Sequence, residues 1–286
     1  TDWVDFQLLR LQLPPEQCKG GGSPTIDVYC EDDLVNQVEA GDRVVASGML
    51  TVETSDNDDG TFPPRLDAHD IVVEETDYED IDVDEHIEEI EAIASGERGD
   101  PYDLLTESIG TDIYGMETIK LALALQLFGG VRVEYPDGTS KRGDPHVLLL
   151  GDPGTAKSSL LEDIAEIAPR STFASGKGAK AAGMTAAAVR DDFGDQEWTL
   201  EAGALVEADK GIACIDEIDK VDEDAVSSLH GALSRQKVNI NKAGMNTHLP
   251  TRTTLLAAGN PEFGRFREDR PIADQIDLGP TLLSRF

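Results

Sequence analysis

The chain has 286 residues and carries 57 acidic against 24 basic side chains, a formal net charge of −33. That length suffices for two domains with cores of their own, and a surface this negative excludes general affinity for polyanions at ordinary salt. No apolar run approaches the roughly 18 residues of a membrane span, and Cys18, Cys30 and Cys214 form no C-x-x-C pair, so no metal or disulfide framework is readable.

A reducing cytoplasm fits that cysteine usage. The chain begins at Thr1 without Met and stops at Ser284-Arg-Phe286, as a piece of a longer protein would. The acids are 33 Asp and 24 Glu, and Lys numbers only 10. Two readings stand for this charge: salt adaptation, in which concentrated ions screen self-repulsion, or attraction to basic partners. Its distribution favours the first.

Residues 1–75 read as β-rich. Ile26–Cys30 and Arg43–Val52 alternate or are β-branched, and Ile71–Val73 closes the set. A polar stretch with Asp59-Gly60 near its centre joins Val52 to Leu66 and predicts a long hairpin, while Pro14–Pro24 with Gly20-Gly-Gly22 reads as a surface loop. Residues 76–108 form an acidic linker. Within it Ile87, Ile90 and Ala94 recur at helical spacing, and Ser95–Pro101 breaks the helix.

From 109 to 286 helices alternate with apolar strands, the pattern of an α/β layer fold. Helices are expected near 115–128 and 157–167, and another along the face of Val226, Leu229 and Leu233. Strands are expected at 146–150, 171–174, 212–215 and 253–258.

The strand His146–Leu150 runs into Gly151-Asp-Pro-Gly-Thr-Ala-Lys-Ser158, followed by Ser159 and an apolar helix. Such a turn aims successive backbone N–H groups and a helix N-terminus at one anion, and Lys157 adds a point charge. The usual second glycine of this phosphate loop is Ala156 here. Some 60 residues on, Gly211-Ile-Ala-Cys-Ile-Asp-Glu-Ile-Asp219 is an apolar strand ending in paired acids. Asp216 is placed to hold Mg²⁺ together with Ser158, and Glu217 to orient or deprotonate an attacking water. Taken singly, each motif also fits an ordinary strand-to-helix turn; in this order they predict a nucleotide hydrolase.

Thr253–Gly259 is another apolar strand, delivering Asn260 to hydrogen-bond a water or γ-phosphate without competing for metal. Gln236–Leu249 reads as two strands around Lys242-Ala-Gly244, a hairpin with Lys at its tip. Leu282–Phe286 places Arg285 where a neighbour's nucleotide could be reached. Two windows escape the acidity. Residues 171–190 carry Lys177, Lys180 and Arg190 with no acid, and residues 231–270 carry seven bases against three acids. These bases face either an anionic ligand other than the nucleotide or acids at subunit contacts.

Together, Asp144–Ser158, the strand ending at Asp219, Ala257-Ala-Gly-Asn-Pro261 and Leu282-Leu-Ser-Arg-Phe286 resemble the minichromosome maintenance (MCM) replicative helicases, archaeal type. Ala156 is what that family shows. Ile113-Tyr-Gly115 and Leu127-Phe-Gly-Gly130 fit it, and Asp5–Arg10, Glu31–Leu34 and Gly41–Arg43 resemble its N-terminal OB-fold.

The resemblance implies an α/β AAA+ P-loop NTPase core, an αβα sandwich, preceded by part of an OB-fold. It implies ATP and Mg²⁺ as cofactors, a homo-hexameric ring, movement 3′ to 5′ along single-stranded DNA, forked duplex as substrate, and other replication-fork proteins as partners. The location implied is the nucleoid within the cytoplasm. Nucleotide-binding residues would be Tyr114, Gly151, Asp152, Pro153, Gly154, Thr155, Ala156, Lys157, Ser158 and Ser159. Ser158 and Asp216 would hold metal. Glu217, Asn260 as sensor 1 and Arg285 as a finger acting in trans would be catalytic, and Lys242, Lys237 and Arg190 would meet DNA.

A helix-2 insert is expected within Thr185–Ala208, and Pro14–Pro24 as the loop coupling the OB-fold to the ring. Three departures stand out. Asp56, Asp58 and Asp59 occupy the apparent tip of a hairpin that is basic in the family; no zinc ribbon is present, so no metal beyond Mg²⁺ is expected; and the chain stops before the family's lid and winged helix. Rival readings are a protein-remodelling AAA+ ATPase, against which the non-aromatic 242–246 tip argues, and a nucleotide-gated scaffold that binds DNA without translocating.

Overall fold

The computed structural model describes residues 5–13, 24–38, 42, 44–52, 64–73, 83–135, 140–190, 198–242 and 245–286. Two compact units emerge, one of residues 1–77 with 189–199 and one built from 78–188 and 200–286.

In the first unit, β1 (Phe6–Gln12), β2 (Thr25–Glu31), β3 (Val44–Val52) and β4 (Pro64–Val73) form one sheet in the order β1-β2-β4-β3. β3 and β4 make the expected antiparallel pair, with a bulge between Ser47 and Gly48. Gly48 is required there, since a Cβ would lie 2.2 Å from the Asp67 carbonyl oxygen. Val28, Cys30, Leu34, Val38 and Ile71 form the core beneath the sheet. The Pro14–Pro24 loop up to residue 23, and the acids Asp56, Asp58 and Asp59, lie outside the described residues.

The second unit starts with α1 (Val83–Ala94), the amphipathic helix read from Ile87, Ile90 and Ala94. α2 (Pro101–Ser108) follows, and its start is set by local chemistry: the Asp100 side chain accepts the Tyr102 N–H at 2.8 Å, and Pro101 takes the first helical position. α3 (Glu117–Phe128) then leads through the short β5 (Val133–Glu134) and β6 (Ser140–Lys141) to β7 (Val147–Leu150) and α4 (Lys157–Ile167). Next in order come β8 (Ser171–Ser175), α5 (Ala181–Met184), the paired β9 (Ala186–Arg190) and β10 (Trp198–Ala202), α6 (Ala204–Glu207), β11 (Ile212–Asp216) and α7 (Glu223–Arg235). The hairpin β12 (Lys237–Lys242) and β13 (Met245–Pro250), then β14 (Thr254–Gly259) and α8 (Pro280–Leu283), complete it.

The central sheet has the order β7-β14-β11-β8, all parallel. Side chains alternate across a strand, so β11 and β14 feed two cores. Ala213, Ile215, Leu255 and Ala257 pack with Leu229, Leu233, Leu205 and Leu282 on one side, while Cys214, Leu256 and Ala258 pack with Leu160, Leu161, Ile164 and Leu123 on the other. This makes three layers, helix–sheet–helix. Strands buried on both faces read as unbroken apolar runs, which is why they were legible. Burial pushes the Cys214 thiol up to about 12, so it is an inert core group.

The polar residues of α3 belong to the interior. Gln126 Nε2 donates to the carbonyls of Pro145 (3.1 Å) and Leu255 (2.9 Å), and Lys120 Nζ donates to those of Gly110 (2.8 Å) and Ile113 (2.7 Å). Among the described residues no helix is long and apolar enough to cross a membrane.

Candidate functional site

β7 and β8 are consecutive in the core yet lie at opposite edges, with β14 and β11 between them. The carboxyl ends of strands at such a reversal are where α/β sheets bind ligands. The register brings Leu150 beside Gly259 and Asp216 beside Ser175. Three predicted site segments therefore converge along one rim: Gly151–Ser159, Asp216-Glu217 and Asn260.

Within the phosphate loop, Gly154 has φ +79° and Ala156 has φ +57° with ψ +19°. The left-handed conformation costs a non-glycine residue roughly 1–2 kcal/mol, so Ala156 carries strain that a glycine would not. α4 begins with no side-chain cap and no acid in its first turn. Its leading N–H groups and the positive end of its dipole are thus free to receive an anion. Lys157 Nζ donates to the carbonyls of Gly151 and Asp152, both at 2.9 Å, and to Thr155 Oγ1 at 3.3 Å. Thr155 Oγ1 itself donates to the Asp152 carbonyl at 2.8 Å. Burial lowers the Lys157 ammonium from its ordinary value, opposed by the charges of Asp216, Asp152 and Asp219. Ser158 and Ser159 are exposed at the helix start and Pro153 at the loop crest.

At the end of β11, Asp216 Oδ1 accepts the Glu217 N–H at 2.8 Å, and Glu217 adopts φ +51°. That kink turns the second acid off the strand axis, and its Oε2 lies 3.5 Å from Ser175 Oγ. Gly176 makes the approach possible: its N–H donates to the Asp216 carbonyl at 2.7 Å, and a Cβ there would lie 2.3 Å from the Glu217 carbonyl oxygen. Asn260 is fixed through its backbone, its N–H donating to Asp219 Oδ1 at 3.0 Å. The Asp219 side chain is 3% exposed and also pairs with Lys220 Nζ at 2.8 Å.

These surroundings fit a magnesium nucleotide. The anion-ready helix start, the Lys157 charge and a single strand-end carboxylate beside a hydroxyl suit a hard cation shared with phosphates. Among the described residues no cluster of three or more His, Cys, Asp or Glu forms a self-contained metal cage.

Tyr114 is wholly exposed on the loop between α2 and α3. That loop is tied to the phosphate helix, since Asp163 of α4 accepts the Gly110 N–H at 2.7 Å while Lys120 holds its carbonyls. Arg285 is not on the rim. Its Nη2 meets His230 Nε2 on α7 at 2.8 Å, and Phe286 packs edge-on against His146, the residue leading into β7. The four residues of β7 separate His146 from Gly151, five steps or about 16 Å. Arg285 therefore sits at the far end of the sheet from its own phosphate loop.

Of the predicted DNA-contacting residues, Lys237 is exposed at the foot of the β12–β13 hairpin. Lys242 ends β12 opposite Met245, and Arg190 ends β9; the tip residues 243–244 lie outside the described set. The expected insert within Thr185–Ala208 contains β9, β10 and α6.

Sequence reasoning passed over two residues that shape the rim, Asp219 and Ser175; Asp152, expected there as part of the phosphate loop, also accepts the Phe266 N–H through Oδ1 at 2.9 Å. The third acid of Asp216-Glu-Ile-Asp219 was a visible signal. For Ser175 there was none, because it acts on a partner 42 positions away, Glu217.

Fold and rim together define a P-loop NTPase core of the αβα type. The chain belongs to the minichromosome maintenance family: residues 86–286 match the MCM P-loop domain and residues 1–54 the MCM OB domain. Among relatives, it is 43% identical to the minichromosome maintenance protein MCM of Saccharolobus solfataricus over 295 residues, all of this chain and 42% of the relative. It is 39% identical to the DNA replication licensing factor mcm-5 of Caenorhabditis elegans, over 99% of this chain and 38% of that protein. With the DNA replication licensing factor mcm4 of Schizosaccharomyces pombe it shares 36% identity, over 100% of this chain and 34% of that one. The chain thus spans roughly two fifths of the length of the relatives it matches.

Proposed function

We propose that the chain is the catalytic part of a ring-forming replicative DNA helicase subunit, which hydrolyses ATP between neighbouring subunits and moves along single-stranded DNA. The observation that carries this is the separation of Arg285 from its own phosphate loop by the length of β7. A site completed only by a second copy makes catalysis a property of the assembly, and a hexameric ring is the assembly the family resemblance favours. Minichromosome maintenance and replication licensing, in the relatives' names, support the replicative setting.

In this reading the N–H groups of Gly154–Ser159 and the Lys157 ammonium bind the phosphates, and Tyr114 covers the base. Magnesium, held by Ser158 and Asp216, would neutralise charge on the phosphates when bound. Glu217 accepts the proton of the attacking water, Asn260 orients that water, and the neighbour's Arg285 stabilises charge spreading over the transferred phosphoryl group. Lys242 grips the DNA backbone at the hairpin tip, with Lys237 and Arg190 adding phosphate contacts. The polarity is 3′ to 5′. The overall acidity belongs to salt adaptation, which leaves the basic windows free to meet DNA.

The test is ATP turnover by the assembled full-length protein with and without single-stranded DNA, at several salt concentrations. Stimulation by DNA, lost in Arg285→Ala, is expected. Stimulation by unfolded polypeptide but not by DNA would replace the helicase with a protein remodeller. Lys242→Ala should bind ATP normally and fail to unwind; binding without movement in the parent protein would point to a scaffold.

A further inference from the structure

Arg285 is held by more than its backbone. α8 is anchored by Leu282, which is fully buried, and Arg285 then donates from Nη2 to His230 Nε2 at 2.8 Å. Its Nε is buried with no hydrogen-bond partner among the described residues. A guanidinium presents five donors in a rigid fork. With Nη2 tied to α7 and Nε enclosed, the opposite edge of the fork is what remains to face outward.

We propose that His230 is the positioning residue of the Arg285 finger, holding the guanidinium aimed at the neighbouring subunit only while its imidazole is neutral. This rests on the trans-acting role proposed for Arg285 above. The geometry requires a lone pair on Nε2, since a guanidinium can only donate. Protonating His230 removes that lone pair and sets two cations against each other, so the contact breaks and the finger loses its aim.

The charged and titratable groups around this corner do not compensate. Arg142, whose Nη1 donates to the Leu233 carbonyl of α7, and Arg235, near Gly231 on the same helix, are both cations. His146 accepts the Leu255 N–H at Nδ1 (3.0 Å), and burial with the charges of Arg142 and Arg285 lowers it to about 4. It therefore stays neutral where most histidines gain charge. On α7 itself the neighbour of His230 is uncharged, Ser234 Oγ at 3.5 Å. Asp144, the acid on the segment leading into β7, accepts from Gln236 Nε2 at 2.5 Å instead.

The step affected is transition-state stabilisation, not nucleotide capture, because the phosphate loop lies at the other end of β7. His230→Ala should lower kcat about tenfold, the scale of one hydrogen bond to a charged group. KM for ATP should stay within about twofold of the parent value. His230→Gln offers an uncharged amide oxygen to the same donor and should restore most of the rate.

The deciding measurement is DNA-stimulated ATPase of the assembled full-length protein between about pH 8 and pH 5, the interval in which histidine changes charge. The parent rate should fall toward acid, and that fall should be absent in His230→Gln. A parent-like acid fall in His230→Gln, or an unchanged kcat in His230→Ala, overturns the assignment. Should His230→Ala fail to assemble, the His230→Gln profile decides alone. Arg285→Ala, run in parallel, separates the two levels: a parent-like rate there removes the finger itself, whereas a dead Arg285→Ala beside an indifferent His230 removes only the present inference.

Discussion

Asp219 and Asn260 are joined across two strands of the central sheet, the carboxylate after β11 accepting the backbone N–H after β14 at 3.0 Å. Asp219 is almost fully enclosed and its second oxygen pairs with Lys220. It therefore fixes where Asn260 stands relative to Glu217, and a displacement near 1 Å at a reacting centre can cost on the order of 10²-fold in rate. Asp219→Ala should reduce ATP turnover about 10²-fold and leave nucleotide affinity within a few-fold. Asp219→Asn keeps an acceptor oxygen and should lose much less. Equal losses in the two variants, measured as kcat and nucleotide Kd, would mean that charge and not the hydrogen bond matters.

Gly176 makes a different prediction from the same rim. A Cβ on this residue would lie 2.3 Å from the Glu217 carbonyl oxygen and 2.7 Å from Val221 Cγ2. Gly176→Ala must push the Glu217 turn away from β8, whereas Ala in place of Gly183, with no atom within 4 Å, has open space. Gly176→Ala should lower the ATPase rate by about 10²–10³-fold, the scale of a displaced general base, and Gly183→Ala should change it little. A fully active Gly176→Ala, assayed under saturating ATP, would detach Glu217 from proton transfer.

What could be read from the sequence was whatever repeats along it. The strands buried on both faces, the helix at 157–167 and the face of Val226, Leu229 and Leu233 all carry their burial in a periodic pattern, and the structure has them. β1 was missed because Phe-Gln-Leu-Leu-Arg-Leu-Gln contains no β-branched residue, and 12 residues intervene before its partner strand begins. α2 was missed because its only signal is the Asp100-Pro101 start. Gln126 breaks the apolar run Leu121–Phe128 in sequence, yet it is buried and bonds two carbonyls. The phosphate loop and the paired acids were legible because the chemistry lies in contiguous residues. The His230–Arg285 contact joins residues 55 positions apart and leaves no local trace.

His146 ties fold stability to pH. Its imidazole falls to about 4 in the folded protein, through burial first and then the charges of Arg142 and Arg285. An unfolded histidine titrates near 6.5, so between those values the unfolded chain binds the extra proton and folding weakens as pH falls. Above about pH 6.5 both states are neutral and no loss is felt; below about 4 the loss is complete. The penalty is at most about 3 kcal/mol. Urea unfolding should show the parent protein losing stability from pH 7 to 5 more steeply than His146→Gln. Parallel curves would mean that this imidazole titrates normally.

Salt should act on the folded state as a whole. With a net charge of −33, the unscreened chain repels itself most when compact. Surface pairs offset little of this: Arg98–Glu89 and Arg267–Asp269 have both partners more than half exposed, and such pairs contribute at most about 1 kcal/mol. Raising KCl from about 0.1 M to 1 M shortens the screening length from about 10 Å to 3 Å. Repulsion among dispersed acids is lost over that range, while the short contacts at the phosphate loop, such as Lys157 to the Gly151 carbonyl, survive. The urea midpoint should therefore rise with KCl and level off near molar salt. The same rise with equimolar sucrose would assign it to solvent exclusion, and a flat or falling midpoint in KCl would count against salt adaptation as the origin of the charge.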